Sequence, residues 1–167
     1  MHRAINRILV PAAALLLTAC TAPEPTAPAF DVTHAWGPES PNFNLEVVLR
    51  GDGFGLVKFR QPNDAVLVVH LDTWVRDLEP NTSYLLQRAV DTNVDDNCTG
   101  SAWLTLGKGL LPQAITTDNQ GTGREALFRS VAAFPIGSEF DIHFRVVNAA
   151  TGAVALTSDC YQFTISQ

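Results

Sequence analysis

Cys98 and Cys160 are the most chemically pointed pair in the body of this chain. Neither belongs to a C-x-x-C, so a dithiol redox motif is absent, and no histidine stands near either, so no local Cys/His zinc spacing exists. Two such thiols pair in an oxidising compartment, and the expectation is a Cys98–Cys160 disulfide. His34, His70 and His143 follow the N-terminal segment, and Met1 is the only methionine. A blue-copper site wants two histidines, a cysteine and usually an axial methionine. Without a His-flanked cysteine that chemistry is set aside. His70 and His143 fall in strand-like stretches, and the pattern permits them to meet across a sheet. G-x-S-x-G, H-E-x-x-H and G-x-x-x-x-G-K-[ST] are all missing. A carboxylate pair is the one hydrolytic option left open.

The stretch D-T-N-V-D-D-N-C (91–98) gathers Asp91, Asn93, Asp95, Asp96 and Asn97. Oxygen donors at alternate positions can wrap a calcium ion. The start resembles an EF-hand loop, D-x-N-x-D, and then departs from it. Asp96 stands where the sharp-turn glycine belongs, and Ala102 where the bidentate glutamate belongs. Asp and Asn also suit plain turns, because they tolerate left-handed backbone. Calcium and an ordinary loop both remain open. Trp36, Trp74 and Trp103 would line a peptide or carbohydrate groove if exposed, or pack in a core if not.

The elements that position these residues come from a chain of 167 residues, 46% apolar and 17% charged, with a net charge of −6. That length suits one domain with a substantial core. The acidic balance excludes the clustered Lys and Arg that nucleic-acid binding needs. The apolar fraction excludes a wholly disordered chain.

Residues 1–20 read MHRAINRILVPAAALLLTAC. Arg3 and Arg7 precede an apolar run, Ile8 to Leu17, too short to span a bilayer but long enough for a signal-peptide core. Leu17-Thr18-Ala19-Cys20 resembles the bacterial lipobox. The resemblance implies acylation of Cys20, cleavage before it, and a membrane partner reached through that N-terminal lipid. Thr21 follows where an inner-membrane retention signal usually has Asp, which implies the outer membrane in a Gram-negative envelope. The expected organisation is a signal peptide over 1–19, a lipid-anchored tether over 20–40 and one domain over 41–167. Pro23, Pro25 and Pro28 make TAPEPTAPAF a semi-rigid spacer.

The domain reads as strands. In NFNLEVVLR (42–50), Phe43, Leu45, Val47 and Leu49 alternate with mostly polar neighbours, which predicts a strand with one buried face. AVLVVHLDTW (65–74) is nearly continuous in apolar residues and predicts a strand covered on both faces. Further candidates are 55–60, 83–90, 101–106, 123–132, 139–147, 153–158 and 160–165. Turn residues separate them, and no amphipathic helix of useful length is present. The pattern predicts an all-β fold, an antiparallel β-sandwich or a barrel.

Residues 78–84, L-E-P-N-T-S-Y, resemble the E–F corner of fibronectin type III and other immunoglobulin-like domains. The resemblance implies a tyrosine corner: Leu78 plugs the core, Pro80 sets the turn, Thr82 supports it and the Tyr84 hydroxyl bonds back to the chain. A related stretch, F-P-I-G-S-E-F (134–140), carries Phe140 in the tyrosine's place and cannot make that bond. The combined expectation is an immunoglobulin-like β-sandwich on a lipid tether, with a binding or structural role in the envelope and an unidentified protein or carbohydrate ligand. The rivals are an envelope-polymer hydrolase and an assembly subunit that pairs through an edge strand.

Overall fold

The computed structural model describes residues 42–62 and 65–166; Cys20, His34, Trp36, the lipobox and the proline-rich segment lie outside them. Twelve strands follow in order: β1 (Asn42–Gly51), β2 (Phe54–Pro62), β3 (Val68–Arg76), β4 (Ser83–Asp91), β5 (Leu104–Thr105), β6 (Gly107–Lys108), β7 (Leu111–Pro112), β8 (Ile115–Thr116), β9 (Gly123–Ser130), β10 (Glu139–Asn148), β11 (Val154–Ser158) and β12 (Tyr161–Thr164). No helix occurs among the described residues. The long strands fall where the period-two pattern puts them.

All twelve belong to one hydrogen-bonded sheet, ordered β5-β4-β10-β11-β1-β2-β3-β9-β6-β7, with β12 on β10 and β8 on β4. Every pairing is antiparallel except β6 with β9, which makes the sheet mixed. The ladder nearly closes on itself, with its shortest long-strand join between β1 and β11. One short stretch makes the closure. Leu104–Thr105 pairs with β4, the Leu106 amide donates to Leu86 O at 2.9 Å, and two residues on Lys108 pairs with Phe128 of β9. The predicted strand over 101–106 is therefore a seam that changes partner midway. Near-closure removes most of the exposed edge that a long sheet would otherwise present.

A nearly closed sheet has a single inner face, so strands bury alternate residues. On β2, Val57, Phe59 and Gln61 point inward between exposed Lys58 and Arg60. On β3, Val69, Leu71, Thr73 and Val75 are buried while His70 is exposed. The prediction of a strand at 65–74 covered on both faces is corrected accordingly. Its first residues form a turn, with Leu67 at φ +52°, and the strand itself starts at Val68. Val47 and Leu49 of β1, Leu86 of β4, Leu127 of β9, Phe144 and Val146 of β10 and Leu156 of β11 complete the core.

One end of this core is tied by amide geometry. Buried Gln61 donates from Nε2 to Ser166 O at 2.7 Å and accepts from the Ser166 amide at 3.2 Å. This satisfies an amide side chain that would otherwise be costly to bury. Farther along β1, the Tyr161 hydroxyl accepts from the Val48 amide at 3.2 Å, just beyond the short β1–β11 ladder.

Candidate functional site

At the end of the sheet where β2, β4, β9 and β12 finish, the core opens into a cavity of about 280 Å³. Its wall is apolar: Phe59, Val69, Leu71, Val90, Leu106 and Ile142 among others. Phe59 meets Phe163 edge-on at 4.7 Å between ring centres, and Phe134 meets Phe140 at 5.3 Å. The aromatic residues of the second corner-like stretch thus touch each other and line the cavity.

Two arginines interrupt this wall, Arg88 and Arg129. Their placement follows from strand parity. Tyr84, Leu86, Arg88 and Val90 share the inner face of β4, and Leu127 and Arg129 share that of β9. The two strands flank the seam, with Leu106 of the seam also in the cavity wall. Arg129 donates to Gly109 O at 3.2 Å. Arg88 has no ion pair or side-chain hydrogen bond among the described residues. Burial, and secondarily the charge of Arg129, push the Arg88 pKa below the usual guanidinium value. No aspartate or glutamate among the described residues lines the cavity. A cation held in an apolar wall without a counter-ion is an anion-seeking group.

Exposed apolar side chains lie around this end. Phe134 and Ile136 are 42% and 53% exposed on the connection after β9. Leu110 and Leu111, at 81% and 75%, cap the β6–β7 turn whose Gly109 carbonyl holds Arg129.

Cys98 and Cys160 are joined, with Cα atoms 5.4 Å apart. The bond pins the 92–103 connection across the outer face of β4 and β10. There Trp103 stacks on His143 at 4.6 Å, Arg145 sits 4.1 Å from the Trp103 ring centre, and His143 Nε2 lies 3.0 Å from Gly100 O. Under the same connection Asp141 is fully buried, and its Oδ2 accepts the Asp95 amide at 2.9 Å.

The acidic loop uses its oxygens on its own backbone. Asp91 Oδ2 accepts from the Thr99 and Gly100 amides, each at 2.8 Å. Asp95 Oδ1 accepts from the Asn97 amide, and Asn93 donates to Asp95 Oδ2. Asp96 holds the turn at φ +61°. No three His, Cys, Asp or Glu side chains among the described residues gather as a metal site. Within the EF-hand-like spacing of Asp91, Asn93, Asp95, Asp96 and Asn97, Asp91 and Asp95 cap amides of their own loop.

His70 and His143 do not meet, because β3 and β10 are separated by β11, β1 and β2. The two described tryptophans do not share a groove either. Trp74 packs edge-on with Phe54 on the outer face of β3 and β2, beneath Arg76, while Trp103 lies against β10.

At residues 78–84, Leu78 and Tyr84 are buried, and the Tyr84 hydroxyl accepts from the Glu79 amide at 3.2 Å. Burial raises the Tyr84 pKa above its ordinary value. Thr82 donates to Pro80 O at 3.0 Å, and Asn81 takes φ +52°. Thr117, which sequence reasoning passed over, ties this corner to the chain after β8. Its hydroxyl accepts the Thr82 amide at 3.0 Å and donates to Glu79 O at 2.7 Å.

The arginine pair was missed as well, and the signal that could have found it was the alternation of β4 and β9. No protein-family model matches the chain, and no curated protein matches it significantly.

Proposed function

We propose that this protein is a non-catalytic binding module whose barrel-end cavity takes a small, largely apolar ligand. The observation that carries the reading is the 280 Å³ apolar cavity, floored by Phe59 and Phe163 and walled by the ends of β3, β4, β9 and β10. Its volume lies near the lower bound of ligand pockets, roughly 300–1,000 Å³. A hydrolase working through a carboxylate pair is disfavoured at this site, since its ionisable side chains are both arginines. An assembly subunit that pairs through the ends of the ladder is disfavoured, since its terminal strands, β5 and β7, are two residues each.

The module is carried in the cell envelope on a lipid at Cys20, in the outer membrane if the source is Gram-negative. The LTAC sequence and the proline-rich stretch after it support this reading. Its immunoglobulin-like classification is supported by the Leu78-to-Tyr84 corner. The test of the binding reading is titration with a neutral, environment-sensitive fluorescent dye such as N-phenyl-1-naphthylamine. Saturable blue-shifted emission that is lost in a cavity-filling Val69→Trp variant is expected. Absence of saturable binding to the folded protein overturns it.

A further inference from the structure

We propose that the cavity's ligand is a single-chain amphiphile with an anionic head, its alkyl body among the Phe59, Phe163 and Ile142 side chains and its carboxylate between Arg88 and Arg129. This rests on the binding reading above and names the ligand class. Three observations converge on it. Apart from Ser130, whose hydroxyl oxygen accepts the Ala132 amide, the wall away from the arginines is apolar, which suits an alkyl chain. Arg88 has no counter-ion among the described residues, and Arg129 spends one donor on a neutral carbonyl. A carboxylate would pair with both guanidiniums, whose planar forks match its two oxygens. The volume admits one medium-length chain and is too small for a two-chain lipid. Phe134 and Ile136, exposed at this end, give such a chain an apolar approach.

The decisive comparison is decanoate against decyltrimethylammonium, both below their micelle concentrations, and against 1-decanol below its solubility limit, by calorimetry on the full chain. Decanoate should bind about tenfold or more tighter than decanol, as expected for a charge-assisted pair, and the ammonium should bind weakest. Arg88→Met should abolish the preference for decanoate over decanol while keeping decanol binding. The same variant should raise the melting temperature of the free protein, because it removes a half-buried cation from an apolar wall. Arg88→Lys should restore part of the preference. Equal affinity for decanoate and decanol in the unaltered protein, or a preference that survives Arg88→Met, overturns the anionic-head assignment while the neutral-dye result still stands. If neither dye, acid nor alcohol binds, the cavity reading itself falls.

Discussion

The Tyr84 hydroxyl accepts the backbone amide of Glu79, five residues upstream, at 3.2 Å. One ring thereby spans the turn that links β3 to β4, with Leu78 buried beside it. Tyr84→Phe removes the acceptor and leaves the Glu79 amide without its partner. The loss should be about 1–3 kcal/mol, read by urea unfolding with an unchanged m-value. Leu78→Ala should cost about 2–5 kcal/mol through the cavity it leaves.

Gly121 supports the same corner from the other side. Its carbonyl accepts the Leu78 amide at 3.2 Å, its φ is +75°, and an added Cβ would stand 2.1 Å from Leu78 O. No side chain can yield there, because the obstacle is backbone. Gly121→Ala should destabilise the domain by roughly 2 kcal/mol or more. Gly152, at φ +72° with nothing near its Cβ position, is the control: Gly152→Ala should cost less.

The Cys98–Cys160 bond closes a separation of 62 residues. In the entropic model such a link contributes about 4 kcal/mol. The double variant Cys98→Ser, Cys160→Ser should melt lower by a matching amount. Hydrogen exchange should quicken over residues 92–103, which the bond holds against β10, before it quickens in β1 to β3.

Two carboxylates should make stability fall in acid. The Arg124 side chain, bonded to Asp72 at 2.9 Å, holds the Asp72 pKa below its ordinary value. The Thr122 and Gln120 amides do the same for Asp118. Both folded pKa values are depressed, so the unfolded chain takes up protons first as pH falls. Their contribution is complete above the unfolded carboxylate range, near pH 4, and is lost as pH drops through the lower folded values. Asp72→Asn should narrow the difference in unfolding free energy between pH 6 and pH 2, modestly, because the pair is largely exposed.

Calcium should leave the melting temperature unchanged. Asp91 and Asp95 already accept backbone amides at 2.8–3.1 Å within their own loop. A rise at millimolar calcium over a chelated control would show that the loop reorganises around the ion.

Much of the architecture is written in the period-two pattern. Val47 and Leu49 of β1 are inward where alternation places them, and the Leu78-to-Tyr84 spacing reads directly as a corner. The seam at 104–108 is different. SAWLTL has the composition of one strand, and its change of partner from β4 to β9 depends on strands distant in sequence. Arg88 was obscured by its type. A charge suggests an outward position, yet its parity with Tyr84 and Leu86 sets it inside. Where residue type and strand parity disagree, the disagreement marks a candidate position. At 91–97 spacing does not encode where the Asp91 and Asp95 oxygens point: both accept amides of their own loop.

Asn42 pairs with Pro62 at the first rung of the β1–β2 ladder, and Gln61, beside that rung, grips Ser166. Entry and exit of the domain are therefore at one pole. Tension arriving along the chain at Asn42 meets the ladder end-on, so its nine rungs open one after another, as a zipper does, instead of resisting together in shear. The covalent loop from Cys98 to Cys160 encloses β5 to β11 and leaves β1 to β4 and β12 outside. Under load the strands that yield first are those the disulfide does not protect, while the clamp over β10 stays shut.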